Sequence, residues 1–133
     1  MADAKISFDL VSPERLLLSE DAEMVTIPGS EGEMGVMAGH MPLISTLKPG
    51  MIDVKIAHGQ HHNFLVSGGF AEITATKITV LAEDAIPVAS LDEQTLQQRI
   101  IDAEEDIATA KTEQEMARAT GMLDHLRHLR AAL

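Results

Sequence analysis

The chain of 133 residues contains no cysteine, no tryptophan and no tyrosine, and its aromatics are limited to Phe8, Phe64 and Phe70. The first absence excludes disulfides and thiolate catalysis, and it fits a reducing compartment. The lack of large rings leaves Val, Ile, Leu and Met to fill the interior of a chain that is 45% hydrophobic. It also removes the platforms on which bases stack. Positive charge is scarce: ten Lys and Arg stand against twenty-one Asp and Glu, for a net charge of −11. Such a surface repels phosphate backbones and argues against nucleic acid as a partner. No apolar run approaches the roughly 20 residues that span a bilayer. The opening MADAKISFDL has neither the apolar segment of a signal peptide nor the arginines of a transit peptide. At this length the expectation is one ordinary domain, or a small domain with an appendage.

What is present is concentrated between Val25 and Gly50. This run holds five of the nine glycines, three of the five prolines and the acids Glu31 and Glu33. Glycine admits backbone angles closed to other residues and proline fixes its own, so the run reads as tight turns between short strands. The exposed acids within it suggest a surface meant for a partner.

The hydrophobic pattern changes near Ser90. Before it, Ile6, Phe8 and Leu10 alternate with polar residues, as do Ile52, Val54 and Ile56, and later Ile78 and Val80. Turn formers separate these strands: Ser12-Pro13, Pro28-Gly29, Pro49-Gly50, His58-Gly59 and Gly68-Gly69. Short strands at close intervals predict an antiparallel sandwich. Beyond Pro87 the spacing becomes helical. Leu96, Ile100, Ala103, Ile107 and Ala110 form one stripe; Met116, Ala119, Leu123 and Leu126 form another, flanked by Met122, Leu129 and Leu133. Capping boxes are expected at Ser90–Glu93 and Thr112–Glu115, with a short turn near Lys111. Residues 92–115 carry eight acids against two bases, whereas 116–133 carry three arginines against one acid. A folded hairpin would therefore gain a weak attraction between its helices. No glycine or proline enforces its turn, so it is a candidate moving part.

Catalytic and metal readings find little support. His58, His61 and His62 lie in HGQHH, but neighbouring strand residues point to opposite faces and do not converge on an ion. His40 has no identifiable serine or carboxylate partner and reads as a turn residue. Ser67-Gly68-Gly69 lacks the lysine and helix of a phosphate loop. Met34, Met37, Met41 and Met51 admit two uses, an adaptable contact surface or core filling. No metal and no cofactor is expected.

Six segments in order carry a resemblance: Phe8-Asp9-Leu10-Val11-Ser12-Pro13-Glu14, Pro28-Gly29-Ser30-Glu31-Gly32-Glu33-Met34-Gly35-Val36, Gly39-His40-Met41-Pro42-Leu43, Leu47-Lys48-Pro49-Gly50, Val66-Ser67-Gly68-Gly69-Phe70-Ala71-Glu72 and Val80-Leu81-Ala82-Glu83. Together they resemble the epsilon subunit of bacterial F-type ATP synthases, the equivalent of the mitochondrial delta subunit. The resemblance implies an N-terminal antiparallel β-sandwich over residues 1–88 that binds gamma and the c-ring. It implies a C-terminal antiparallel α-helical hairpin over 89–133, mobile and regulatory in some relatives. The implied role is mechanical and non-catalytic: a central-stalk subunit passing proton-driven rotation of the c-ring through gamma to the catalytic subunits.

The resemblance also places residues. Ser30, Glu31, Glu33 and Met34 would face the c-ring, and Ser12, His40 and Ser45 would face gamma. An alternative is an inhibitor of ATP hydrolysis, in which Arg118, Arg127 and Arg130 of the hairpin meet acids on the catalytic alpha and beta subunits. A free-standing sandwich module unrelated to the synthase is the third reading. Some relatives bind ATP through Leu/Ile-Asp-x-x-Arg-Ala; here Leu91 and Asp92 are followed by Thr95 where the arginine would stand and Leu96 where the alanine would. The lost cation removes the obvious phosphate partner, so weak or absent ATP binding is expected. If the source is bacterial, as the N-terminus suggests, the site of action would be the cytoplasmic face of the inner membrane, reached through partners.

Overall fold

A computed structural model of the protein describes residues 5–132; Leu133, assigned above to the second helical stripe, lies outside them. Ten strands come first: β1 (Ile6–Val11), β2 (Leu16–Ala22), β3 (Met24–Gly29), β4 (Gly32–Val36), β5 (Leu43–Leu47), β6 (Gly50–Lys55), β7 (His61–Val66), β8 (Gly69–Ile73), β9 (Lys77–Ala82) and β10 (Ala85–Pro87). Two helices follow, α1 (Glu93–Thr109) and α2 (Glu113–Ala132). The strands join in the order β10-β7-β6-β3-β5-β8-β9-β1-β2, with β4 paired to β3, and the sheet curls over on itself as a sandwich.

Alternation decides which residues face inward. Ile6, Phe8 and Leu10 of β1, Ile52 and Val54 of β6, and Ile78 and Val80 of β9 have no exposed surface. They meet in one cluster with Val25, Ile27 and Val36. Among the described residues no polar side chain is buried, so this core is hydrocarbon alone. The antiparallel expectation holds for every ladder but one. β1 lies parallel to β9, pairing Ser7 with Lys77 and Val11 with Leu81. Parallel neighbours need a long connection, and here the strands between them supply it.

A second cluster joins the helices to the sandwich. It contains Leu96, Ile100 and Ala103 of α1, Leu123 and Leu126 of α2, and from the sandwich Leu65. The second half of β7 is thus buried on both faces, because Phe64 and Val66 enter the sandwich core while Leu65, one residue out of phase, meets the helices. The sheet contribution is completed by half-buried Met51. Below Leu126, Pro49 packs against Gly121, and His125 lies against Gly50. In the helical stripes Met116 departs from expectation: it is 41% exposed, since it precedes the point where α2 reaches the cluster.

The first capping box is corrected. Asp92, not Ser90, is the N-cap of α1, accepting from the Thr95 amide at 2.7 Å. Ser90 sits in a short 3-10 turn and its hydroxyl donates to the Pro87 carbonyl instead. At α2 the Glu115 amide donates to Thr112 Oγ1 at 3.0 Å, while the Glu115 carboxylate accepts from Lys111 rather than from Thr112 itself. The interhelical attraction is slight. Among the described residues one ion pair, Arg127 with Glu104 at 3.9 Å, joins the helices, whereas Arg118 and Arg99 turn to the sandwich acids Glu83 and Asp84.

Leu65→Ala should cost about 2–5 kcal/mol, the usual range for such truncations, and the loss should fall on hairpin docking. Hydrogen exchange checks it: α1 and α2 amides should lose protection while β8, β9 and β1 keep theirs. Asp92 gives a pH signature. The Thr95 backbone and side chain hold its carboxyl below the usual range. Its ionised form therefore supports α1 above the unfolded value, and the support is lost as pH falls below that value and through the lower folded one. Thermal unfolding by circular dichroism should show Asp92→Asn weaker than the parent at pH 7, with the difference shrinking as acidification protonates the Asp92 carboxyl.

Candidate partner-binding surface

The acidic turn is a two-residue connection between β3 and β4. Pro28 pairs with Glu33 and Gly29 with Gly32, leaving Ser30 and Glu31 at the tip. Gly32 has φ +133, a region that side chains avoid, so the tight reversal depends on glycine there. The turn is braced from behind: the Ser30 amide donates to the Thr46 carbonyl at 3.0 Å, and the Lys48 amide to that of Pro28 at 2.9 Å. Ser30, Glu31 and Glu33 are exposed on this rigid base. Met34 is not beside them. It points inward with Val36 and packs against the sandwich core.

On its other side the turn faces α2. Glu33 and Lys48 share a groove of about 400 Å³ with His125, His128 and Leu129. The turn and the last turns of the hairpin therefore form one continuous surface when the helices are docked.

Ser12, His40 and Ser45 are not brought together. Ser12 caps the end of β1, its hydroxyl donating to the Arg15 carbonyl. His40 lies near the opposite end of the same layer, in the connection from β4, where a ring nitrogen meets the Met41 carbonyl at 2.7 Å and the preceding Gly39 amide reaches Ala75. Ser45 is half-buried within β5, its hydroxyl donating to Thr46 beneath the acidic turn. What connects their neighbourhoods is an apolar row on the outer face of this layer. Phe70 pairs with Leu81, Leu81 with Val11, and Val11 with Leu16, across four strands. Phe70, Leu81 and Leu16 are 41%, 39% and 56% exposed, and Ile44 nearby is 69% exposed. Strict alternation hid this row, because its members sit in phase with polar residues. The signal available was a pair of adjacent apolar residues within one strand, such as Leu43-Ile44 or Val80-Leu81. The four methionines divide: Met37 and Met41 are exposed, while Met34 and Met51 are half-buried against the two clusters.

The histidines of HGQHH diverge as their spacing predicts. His61 approaches Asp53 at 2.9 Å on its own hairpin, whereas His62 approaches Glu20 of β2 at 3.1 Å. Among the described residues no group of three potential ligands converges on a metal position. In the degenerate nucleotide motif Leu91 is buried, Asp92 caps the helix and Thr95 supplies the capped amide. No described helix is long and apolar enough to cross a membrane.

A family profile described as "ATP synthase, Delta/Epsilon chain, beta-sandwich domain" matches residues 5–88. The chain belongs to this delta/epsilon family of ATP synthase subunits. It is 51% identical over 126 residues to an ATP synthase epsilon chain of Parvibaculum lavamentivorans, covering 95% of this chain and 96% of the relative. It is 48% identical over 133 residues to that of Mesorhizobium japonicum, covering 100% and 98%. Among solved structures, a chain of the Euglena gracilis mitochondrial ATP synthase, from an assembly of OSCP, F1 and c-ring in rotational state 1, aligns with a TM-score of 0.74 at 27% identity, over 97% of this chain and 81% of its own length. A chain of the Tetrahymena thermophila mitochondrial central stalk and c-ring shares the fold, with a TM-score of 0.65 at 15% identity over 99% and 98%. Membership in this family sets aside the reading as an unrelated sandwich module.

Proposed function

We propose that the protein is a non-catalytic rotor subunit of an F-type ATP synthase, passing c-ring rotation through gamma to the sites of ATP synthesis. The observation that carries this reading is the pair of distinct surfaces on one rigid sandwich. The braced β3–β4 turn offers Ser30, Glu31 and Glu33 as polar and acidic contacts for the c-ring. The outer face of the layer containing β5, β8, β9, β1 and β2 offers gamma an apolar row that begins beside Ser12, with His40 at the far end of the same layer. Exposed apolar side chains in a connected row are costly to leave in water, and a partner surface is their usual explanation. A subunit transmitting torque needs stiff contacts, and both surfaces are carried by paired strands rather than loose loops. Its place would be the cytoplasmic face of a bacterial inner membrane, held there by its partners.

Reversing Glu31 and Glu33 together to lysine should abolish ring association in a pull-down while leaving gamma binding intact. Unchanged ring association would show the contact surface to be elsewhere.

A second reading, inhibition of ATP hydrolysis through the hairpin, is favoured by one observation: the helices rest on the sandwich through a small apolar contact and present Arg127 and Arg130 on their exposed face. Deleting residues 91–133 separates the two. Loss of coupling or assembly supports a mechanical role for the hairpin, whereas ATPase activity rising about tenfold in an assembled complex, roughly 1.4 kcal/mol of barrier, supports inhibition.

A further inference from the structure

The turn between β9 and β10 places two acids side by side, Glu83 and Asp84, and each meets an arginine from a different helix. Arg118 of α2 approaches Glu83 with both ends of its guanidinium, Nη1 at 2.9 Å from Oε2 and Nη2 at 3.5 Å from Oε1. Arg99 of α1 approaches Asp84 at 3.3 Å. The acids are held in place before the helices arrive. The Glu83 amide donates to the Gly68 carbonyl and the Ser67 amide to that of Asp84, locking the turn against its neighbour. Gly68 leaves the room that the carboxylate uses, since a Cβ there would stand 3.3 Å from Glu83 Oε2. Forming the pairs therefore costs side-chain freedom on both partners but no rearrangement of the turn's backbone.

Packing beneath these contacts is incomplete. A cleft of about 340 Å³ opens where α1, α2 and the sandwich meet, lined by Leu65, Ile86, Ala103 and Ala119 and by the polar Asp84, Arg99 and Arg118. Where interdigitation is missing, dispersion contributes less, and the charge pairs span the gap instead. Residues 92–115 carry a strong negative excess, and Arg99 and Arg118 bring positive charge to the place where the hairpin meets the acidic β9–β10 turn.

We propose that Glu83 and Asp84 form an electrostatic latch that grips Arg118 and Arg99 and biases the helical hairpin towards its docked position. While the latch is closed, Arg118 is occupied within the chain and is withheld from any other acidic partner. The pairs are about half exposed, so the latch adjusts the docking equilibrium that Leu65 and its neighbours establish, and salt weakens it. The inference goes beyond the rotor reading and does not need it, because its test uses the isolated full chain.

The absence of cysteine permits a single reporter. Ala103→Cys places a thiol where 3% of the residue is exposed, facing the sandwich, so its labelling rate follows hairpin opening. Glu83→Arg with Asp84→Arg should raise labelling about tenfold at low salt, from the removal of two exposed pairs and the repulsion replacing them. Adding Arg99→Glu and Arg118→Glu should return the rate to within about twofold of the parent, and 0.5 M salt should shrink every difference. Should the reversals perturb folding, judged by exchange protection in β8 and β9, the neutral pair Glu83→Gln and Asp84→Asn should give about a threefold rise. A rate unmoved by neutralisation, or a rise that the charge swap fails to rescue, overturns the latch.

Discussion

The hairpin's position depends on one side chain out of phase with its strand. Leu65 lies between Phe64 and Val66, which complete the sandwich interior, and it is the sandwich residue fully buried among the helices. Around it gather Leu96, Ile100 and Ala103 from one helix and Leu123 and Leu126 from the other. The hairpin is thus built about its own seam and attached through Leu65, with Met51, Pro49 and Gly50 beside it and the Glu83 and Asp84 pairs at its edge. The two cores share no buried residue. Disturbance of one can therefore leave the other standing.

That arrangement assigns different physics to different surfaces. The acidic turn and the apolar row belong to the paired strands, whose shape is fixed by ladder hydrogen bonds and a hydrocarbon interior. The arginines belong to the helices, whose placement is adjustable through exposed charge. In the proposed rotor role, the contacts that would carry load are stiff and those that would regulate are soft. The groove between Glu33 and α2 is where the two regimes meet, because docked helices extend the surface around the turn.

Much of this was legible in the sequence. Period-two alternation located β1, β6 and β9 because their neighbours are polar and the interior contains no polar group to blur the pattern. Period-3.6 stripes located both helices for the same reason. The parallel pairing of β1 with β9 was not legible, since alternation reports which face is buried and says nothing of which neighbour a strand chooses. The first helix start was misplaced because Ser90 and Asp92 are both good caps at nearly the same position, and only local backbone geometry selects Asp92. Met34 was grouped with the exposed acids because it lies within their motif, yet strand parity turns it inward. The destination of Arg118 could not be read either. Glu83 is far from it in sequence, and a charge pair between separate elements leaves no periodic trace.

The parallel pairing also orders events during synthesis. Strand β1 is the first to emerge, but its neighbour on one side, β9, pairs residue 7 with residue 77. Until that segment arrives, β1 can form only its hairpin with β2, and the interior face carrying Ile6, Phe8 and Leu10 stays uncovered. Closure of the sandwich is therefore a late, non-local step, slow relative to local hairpins and helices. The helices come last on the ribosome and find Leu65 already fixed in a finished sheet. A chain cut before β9 would be left unclosed and sticky, whereas one cut just after β10 would keep every strand of the sandwich and a bare apolar peg.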